Sequence, residues 1–131
     1  MKVIQVSGKR KRAIARATLK PGAGIIRINS KLLNFIEPVM YRTKISEPMI
    51  LAGEKANNVN IDVQVNGGGI SSQAVASRLV IARALAVYDK SLEKEFLDYD
   101  RTLLIADVRR KETHKPNCHG KARAKRQKSY R

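Results

Sequence analysis

The side chains of this sequence that are suited to chemistry are mostly cations, and they gather towards the two ends of the chain. The first group consists of Lys9, Arg10, Lys11, Arg12 and Arg16. Ammonium and guanidinium groups bind phosphate oxygens, and a nucleic acid presents such oxygens at every nucleotide. Consecutive cations are also costly to hold together on a folded surface without an anion opposite them. We interpret this group as a nucleic-acid contact; the alternative is a solvated charge run or a targeting signal.

A second basic group occupies the C-terminal segment, where residues 109–131 contain ten Lys and Arg side chains and one acid, Glu112. Like charges repel and the few apolar residues cannot form a core, so we expect an extended tail attached to a globular domain of residues 1–108. The alternative is a disordered tail that only improves solubility. The cations expected to contact RNA are Arg109, Arg110, Lys111, Lys115, Lys121, Arg123, Lys125, Arg126, Lys128 and Arg131, and Tyr130 adds a ring that can stack on a base.

Three consecutive glycines, Gly67, Gly68 and Gly69, separate the clearest predicted strand from the longest predicted helix. Glycine lets the backbone approach another chain closely, and the start of a helix offers free N–H groups to a phosphate. This segment predicts either a contact with a nucleotide or RNA backbone, or only a tight connection from strand to helix. A P-loop is excluded because no Gly-Lys-Ser/Thr follows, and contiguous glycines fit a dinucleotide fingerprint poorly.

The remaining reactive side chains do not form a recognisable catalytic or metal site. His114, Cys118 and His119 are three potential ligands, but a structural zinc site needs four and the neighbouring cations repel a metal ion. The carboxylates of Glu93, Glu95, Asp98 and Asp100 are typical of a solvated helix face or a helix end. We therefore expect no enzyme activity, no cofactor, no metal and no small-molecule substrate.

Length and charge define the class of protein. The chain has 131 residues and a net charge of +16, from 27 Lys and Arg against 11 Asp and Glu. Residues 1–20 carry +7 and residues 109–131 carry +9, so the middle of the chain is neutral. This length fits one domain with a modest core. One cysteine cannot form an internal disulfide, and the longest uncharged run, residues 63–77, is too short and polar to cross a bilayer.

Alternating apolar and polar residues predict the strands. The alternation is clearest from Val59 to Val65, and shorter examples run from Ala15 to Leu19, from Ile26 to Ile28 and from Val3 to Ser7. The segment from Gly8 to Arg12 is compatible with a hairpin tip or a bulge.

Helical spacing appears later in the chain. It predicts a long helix over Ile70–Tyr88, with Arg78 and Arg83 off its apolar face, and a second helix over Ser91–Tyr99. Shorter helices are expected over Ser30–Ile36, ended by Pro38, and over Ser46–Ala52, ended by Gly53. The order of elements predicts a two-layer α/β (α+β) domain, a mixed sheet with helices on one face.

Several motifs together resemble one family over nearly the whole chain. They are Gly8-Lys9-Arg10-Lys11, Ala15-Arg16-Ala17, Lys20-Pro21-Gly22-Ala23-Gly24, Val65-Asn66-Gly67-Gly68-Gly69-Ile70-Ser71-Ser72-Gln73-Ala74, Arg78-Leu79, Ile81-Ala82-Arg83-Ala84-Leu85, Lys121-Ala122-Arg123-Ala124 and Gln127-Lys128-Ser129-Tyr130-Arg131. The sequence resembles small-subunit ribosomal protein nine in its archaeal and eukaryotic form. The segment from His114 to Gly120 departs from the Lys- and Gly-rich stretch of that family.

The resemblance implies a four-stranded mixed sheet, as in the second domain of ribosomal protein five. It implies a cytoplasmic, non-enzymatic protein that binds rRNA and neighbouring ribosomal proteins in the head of the small subunit. It further implies that the tail reaches the anticodon stem-loop of the peptidyl-site tRNA. The residues that correspond to this end of the tail are Lys128, Ser129, Tyr130 and Arg131. Two alternatives to this function remain. The charge alone is compatible with a general nucleic-acid binder, such as a chromatin protein or RNA chaperone. The glycine-rich loop is compatible with a phosphotransferase.

Overall fold

Five strands and three helices make up the computed structural model, which describes residues 3–123. The strands are β1 (Ile4–Arg10), β2 (Ala13–Pro21), β3 (Ile26–Ile28), β4 (Lys31–Leu32) and β5 (Val59–Asn66). The helices are α1 (Val39–Ala52), α2 (Ile70–Tyr88) and α3 (Ser91–Tyr99), with short 3₁₀ segments at Leu33–Phe35, Gly53–Asn58 and Arg101–Leu103.

The strands form one mixed sheet in the order β1-β2-β5-β3-β4. β3 and β5 are parallel and the other neighbours are antiparallel, so α1 lies in the connection that joins the two parallel strands. In the centre of the sheet Ala17 pairs with Val6 on one side and with Val63 on the other. The mixed sheet predicted from the sequence is confirmed, with the short strand β4 added at its edge.

The hydrophobic core lies between one face of this sheet and the helices. On β5, Val59, Ile61, Val63 and Val65 are buried, whereas the alternate positions on the opposite face are polar. Helix α2 covers β1 and β2, and α1 packs against α2. Helix α2 has the length and hydropathy of a membrane span, but more than half of it is buried inside this domain. Its apolar character is therefore accounted for by its position in the core.

The structure corrects the prediction of a helix over Ser30–Ile36. Residues 31–32 instead form β4, paired with β3 through a two-residue turn in which Asn29 and Ser30 have φ of 48° and 70°. Positive φ at both positions is typical of the type I′ hairpin turn. Asn29 also bonds to the backbone of Val65 in both directions, accepting at Oδ1 (2.9 Å) and donating from Nδ2 (3.0 Å). A partner 36 residues away therefore determines this turn.

Helix α1 is longer than the sequence predicts. It begins at Val39, directly after Pro38, so this proline precedes a helix and does not end one. Pro48 lies inside the helix, within the part from Ser46 to Ala52 that the sequence predicts. Gly53 ends the helix as predicted, with φ of 56° and its N–H donated to the carbonyl of Met49. The predicted bounds of α2 and α3 are confirmed.

Candidate nucleic-acid interface

The N-terminal basic group lies at the tip of the β1–β2 hairpin. Arg10 pairs with Ala13, so Lys11 and Arg12 form a two-residue loop, and Lys11 has φ of 54°. The structure thereby decides for a hairpin tip over a bulge. Lys11 and Arg12 are exposed, as is Lys9 just before them. The loop places Lys11 and Arg12 beyond the paired part of the hairpin, and Lys9 is exposed on the adjoining strand, so all three can meet an anion without displacing other side chains.

The glycine-rich loop packs directly against this hairpin tip. A Cβ atom on Gly67 would lie 2.6 Å from the carbonyl oxygen of Arg12, and one on Gly68 would lie 3.0 Å from the nitrogen of Ala13. Both glycines have positive φ, 76° and 66°. Close packing against the hairpin therefore explains why positions 67 and 68 are glycine. This agrees with the second interpretation of the segment, a tight connection from strand to helix. Gly69 meets nothing within 4 Å, and it precedes the exposed first turn of α2.

The basic tail begins beside the same hairpin. After α3 the chain returns along β1, where Arg83 of α2 donates from Nε to the carbonyl of Leu104 and from a terminal nitrogen to the carbonyl of Ser7, both at 2.8 Å. Arg10 then forms an ion pair with Asp107 at 3.2 Å and donates to the carbonyl of Arg109 at 3.4 Å. These contacts fasten the root of the tail to the edge strand of the sheet.

Asp107 is the acid that organises the root of the tail. Its carboxylate accepts hydrogen bonds from the side chain and backbone of Arg109, and it pairs with Arg10. The pKa of Asp107 is well below its usual range, first because of the Arg109 hydrogen bonds and then because of the nearby Arg10 charge. The carboxylate is therefore charged at neutral pH and holds both guanidinium groups in place.

Three of the predicted contact groups thus meet at one end of the sheet: the hairpin tip, the glycine-rich loop and the first residues of the tail. Within residues 3–123 the exposed cations here that form no ion pair are Lys9, Lys11, Arg12, Arg110 and Lys111. Arg16 lies farther along β2, on the helix-free face, between Ser7 and Gln64. The sequence cluster is therefore divided between the tip and this open face.

The described part of the tail contains no helix or strand. The carboxylate of Glu112 accepts a hydrogen bond of 2.9 Å from Nε of Arg123. It also forms an ion pair with the ammonium of Lys115, at 3.5 Å. The pKa of Glu112 is lowered to about 2, mainly by the Arg123 hydrogen bond. The N–H of Lys115 also donates to the carbonyl of Lys121 at 3.0 Å. Two predicted RNA contacts, Lys115 and Arg123, are thus paired with an acid inside a closed loop.

Several predicted contacts lie outside the described residues: Lys125, Arg126, Lys128, Ser129, Tyr130 and Arg131. Of the potential metal ligands, Cys118 donates weakly from Sγ to the carbonyl of Ala122 at 3.9 Å. In the part of the chain that the structure describes, no three His, Cys, Asp or Glu side chains are placed to hold a metal ion.

Arg78 of α2 is the centre of a buried network of ion pairs and hydrogen bonds. The sequence predicts only that this arginine lies off the apolar face of its helix. Arg78 is 6% exposed, and its guanidinium pairs with Glu47 of α1 at 2.5 Å and with Asp100 after α3 at 3.0 Å. It also donates to the hydroxyl of Thr102 at 3.1 Å. Burial acts to raise the pKa of Asp100, but hydrogen bonds from Thr102 and Arg78 outweigh it, and the pKa is lowered. The network joins all three helices and positions the segment that leads to the tail.

The signal for this network was present in the sequence but not decisive. A cation in the middle of an apolar helix predicts a buried acidic partner. The partners Glu47 and Asp100 lie on other elements, however, and Asp100 has the position expected of an ordinary helix end.

Comparisons with known proteins agree with the motifs. A family model described as ribosomal protein S9/S16 matches residues 8–131. Small ribosomal subunit protein uS9 from two strains of Methanococcus maripaludis, C7 and S2, is 52% identical to this chain, and that from Methanococcus vannielii is 51% identical. Each match covers the whole of both proteins. The chain therefore belongs to the ribosomal protein S9/S16 family, as a structural constituent of the small ribosomal subunit.

Proposed function

We propose that this protein binds rRNA in the head of the small ribosomal subunit and that its C-terminal tail extends to the peptidyl-site tRNA. The observation that carries the rRNA part is the meeting of the hairpin tip, the start of α2 and the root of the tail at one end of the sheet. The protein acts there without catalysis or a cofactor, beside neighbouring ribosomal proteins and in the cytoplasm.

The domain of residues 1–108 supplies the anchoring surface. Lys9, Lys11 and Arg12 are exposed around a tight hairpin loop, which holds their positive charges close together. The exposed first turn of α2 adds free N–H groups beside them, and such groups bind phosphate oxygens. An RNA backbone that crosses this end of the sheet would neutralise the charge that the fold concentrates there. Arg16 on the open face extends the contact along β2.

The tail, residues 109–131, supplies reach. At roughly 3.3 Å per residue it spans at most about 75 Å when extended. Its root is fixed to β1 by Arg10 and Asp107, so its path begins at the same RNA surface that the hairpin contacts. We infer that the rRNA contacts continue along the tail through Arg110, Lys111, Lys121, Lys125 and Arg126, with Lys115 and Arg123 released from Glu112 where phosphates replace it.

The end of the tail is assigned to the tRNA by family membership and charge. Lys128, Ser129, Tyr130 and Arg131 combine two cations, a hydroxyl and a ring. Contacts to phosphates carry no sequence information. Such contacts suit a site that must hold every elongator tRNA.

The anchoring surface is tested with the full-length protein and small-subunit rRNA. A Lys11→Gln, Arg12→Gln double variant removes two exposed cations from the tip, and a Lys90→Gln, Lys94→Gln double variant removes two exposed cations near or on α3. We expect the first to weaken binding and to reduce the slope of log K against log salt by about 1.4–1.8, and the second to change neither. Equal effects of the two variants would contradict the assigned surface.

A general nucleic-acid binder would share the positive charge of this protein but would not reside in the small ribosomal subunit. Fractionation of a cell lysate on a sucrose gradient separates the two functions, because a subunit protein migrates with small subunits at moderate salt. Recovery of the protein mainly in the free fractions would support the general binder.

A further inference from the structure

A groove of about 530 Å³ opens beside the hairpin, between α1, the first half of α2 and the segment that runs from α3 to the tail. Its volume lies within the roughly 300–1,000 Å³ of small-molecule sites. Val75, Leu79 and Ala106 supply apolar surface and Tyr99 an aromatic ring, and the rest of the wall is polar or charged. The rRNA contact proposed above uses Lys9 but none of the lining residues of α1 and α2.

The groove carries a net positive charge. Five cations and three carboxylates line it, which gives +2. Arg78 is held by Glu47 and Asp100, while Arg10 and Arg109 are held by Asp107. The two that form no ion pair within residues 3–123 are Lys9 on β1 and Lys44 on α1. Lys9 alternates with Gly8, which faces α2, so the side chain of Lys9 leaves the sheet on the helix-free face. Lys44 is therefore the unpaired cation on the groove side, and it suits a ligand with one phosphate group.

An aromatic ring stands at the same groove. Tyr99, the last residue of α3, is 58% exposed and lines the groove together with Asp100 and Thr102. An exposed ring offers a flat apolar surface on which a base can stack. The carboxylates of Glu47 and Asp100 are about one-third exposed, so each retains acceptor capacity towards the groove. Carboxylate oxygens accept hydrogen bonds from the amino groups of nucleobases.

We propose that this groove binds a single nucleotide that is unstacked from the RNA chain and carries an exocyclic amino group. The base stacks on Tyr99, its amino group donates to Asp100 or Glu47, and its phosphate lies beside Lys44. This inference rests on the proposed binding of RNA and adds a site for an individual base to it. The cations of the tip contact phosphates irrespective of sequence, whereas this groove selects by base.

The test is a titration of the full-length protein, followed by NMR through the backbone amide signals. Adenosine 5′-monophosphate is compared with inosine 5′-monophosphate, which lacks the amino group, and with inorganic phosphate. We expect adenosine 5′-monophosphate to shift the signals of Tyr99 and Lys44 and to bind several-fold more tightly than the inosine compound. Inorganic phosphate should shift signals around Lys44 without affecting Tyr99.

Variants assign the contacts. Tyr99→Ala and Lys44→Gln should each weaken the binding of adenosine 5′-monophosphate several-fold, while Tyr99→Phe retains it because the ring remains. Lys94→Gln is the matched control, since it removes the same charge from an exposed position on α3 outside the groove. Circular dichroism of each variant verifies that the fold is kept.

Three outcomes would overturn the proposal. In the first two, adenosine 5′-monophosphate shifts no groove signal, or it binds Tyr99→Ala as tightly as the unaltered protein. Tight binding of an oligoglutamate peptide in the groove, in preference to the nucleotide, would also overturn it and indicate an acidic protein partner. These results leave the function of the tip intact, because that is measured separately with Lys11→Gln, Arg12→Gln and rRNA. Loss of the tip effect alone would contradict the proposed function and not the groove.

Discussion

Arg10 at the end of β1 and Asp107 at the root of the tail form an ion pair of 3.2 Å, with both side chains largely shielded from solvent. The pair connects the basic hairpin to the basic tail, which are separated by most of the sequence. Their relative position is therefore set by the folded domain. In the proposed function, phosphate groups bound by the hairpin would lie close to where the tail departs.

The first prediction concerns this pair. Asp107→Asn keeps the shape of the side chain but removes the charge that holds Arg10 and Arg109. We expect faster amide hydrogen exchange over residues 104–110, with little change in the thermal midpoint of the domain. Asp98→Asn on the exposed side of α3 is the control. Unchanged exchange at the root of the tail would show that Arg83 alone fastens this segment.

Gly67→Ala should destabilise the domain and displace the hairpin tip. Its Cβ would lie 2.6 Å from the carbonyl oxygen of Arg12, at a φ of 76° that favours glycine. We expect a loss of about 1–3 kcal/mol in the free energy of unfolding, measured by urea denaturation. Gly69→Ala is the matched control, because its φ is −112° and a Cβ meets no atom within 4 Å. A similar loss in both variants would count against the close approach.

Arg78→Gln should destabilise the domain more strongly than the removal of an exposed arginine. The change leaves Glu47 and Asp100 without their buried cation, and breaking such a network costs on the order of 3 kcal/mol. Urea denaturation measures the difference, with Arg101→Gln as the exposed control. Near-equal stability of the two variants would mean that the network does not hold the helices together.

Glu112 provides a prediction on pH. Its pKa is lowered from 4.5 to about 2, chiefly by the Arg123 hydrogen bond. A lowered pKa means that the pair stabilises the tail loop fully above the ordinary value and is lost as the pH falls towards about 2. An NMR titration of the full-length protein should therefore give a midpoint near 2 for Glu112, moving up towards 4.5 in Arg123→Gln. A midpoint near 4.5 in the unaltered protein would show that the loop does not form.

Deletion of Ser129 to Arg131 tests the proposed tRNA contact. We expect small subunits that contain the shortened protein to assemble, because the hairpin tip and most of the tail remain. Retention of peptidyl-site tRNA, measured by filter binding, should be weaker. Replacement of His114 and Cys118 by serine is the control, since these residues precede the assigned end. Full retention after the deletion would remove the tRNA contact from the function.

Elements with strong local periodicity could be predicted from the sequence. The bounds of α2 and α3 follow from helical spacing, and that of β5 from strict alternation. The segment from Ser30 to Ile36 could not, because its backbone depends on the bonds between Asn29 and Val65. Local propensity favoured a short helix there, but the hydrogen bonds to β5 determine the backbone instead.

The sequence could predict which residues belong to the candidate site, but not how they are arranged in space. The basic residues are evident in the sequence, yet their meeting requires the chain after α3 to return along β1, which Arg83 and Asp107 bring about. Neither residue stands out by type or spacing. The groove beside Tyr99 likewise exists only after α1, α2 and α3 have packed around Arg78.

The fastening of the tail to the hairpin has a consequence for assembly. Once the hairpin contacts RNA, the tail is tethered at the surface, so its own binding becomes intramolecular and proceeds at an effective concentration that can reach the millimolar range. Neither attachment then needs high affinity by itself, and each can rebind before the other dissociates. Under the proposed function, the junction formed by Arg10, Asp107 and Arg83 would give the protein avidity, and its release from the subunit would require both attachments to be open at the same time.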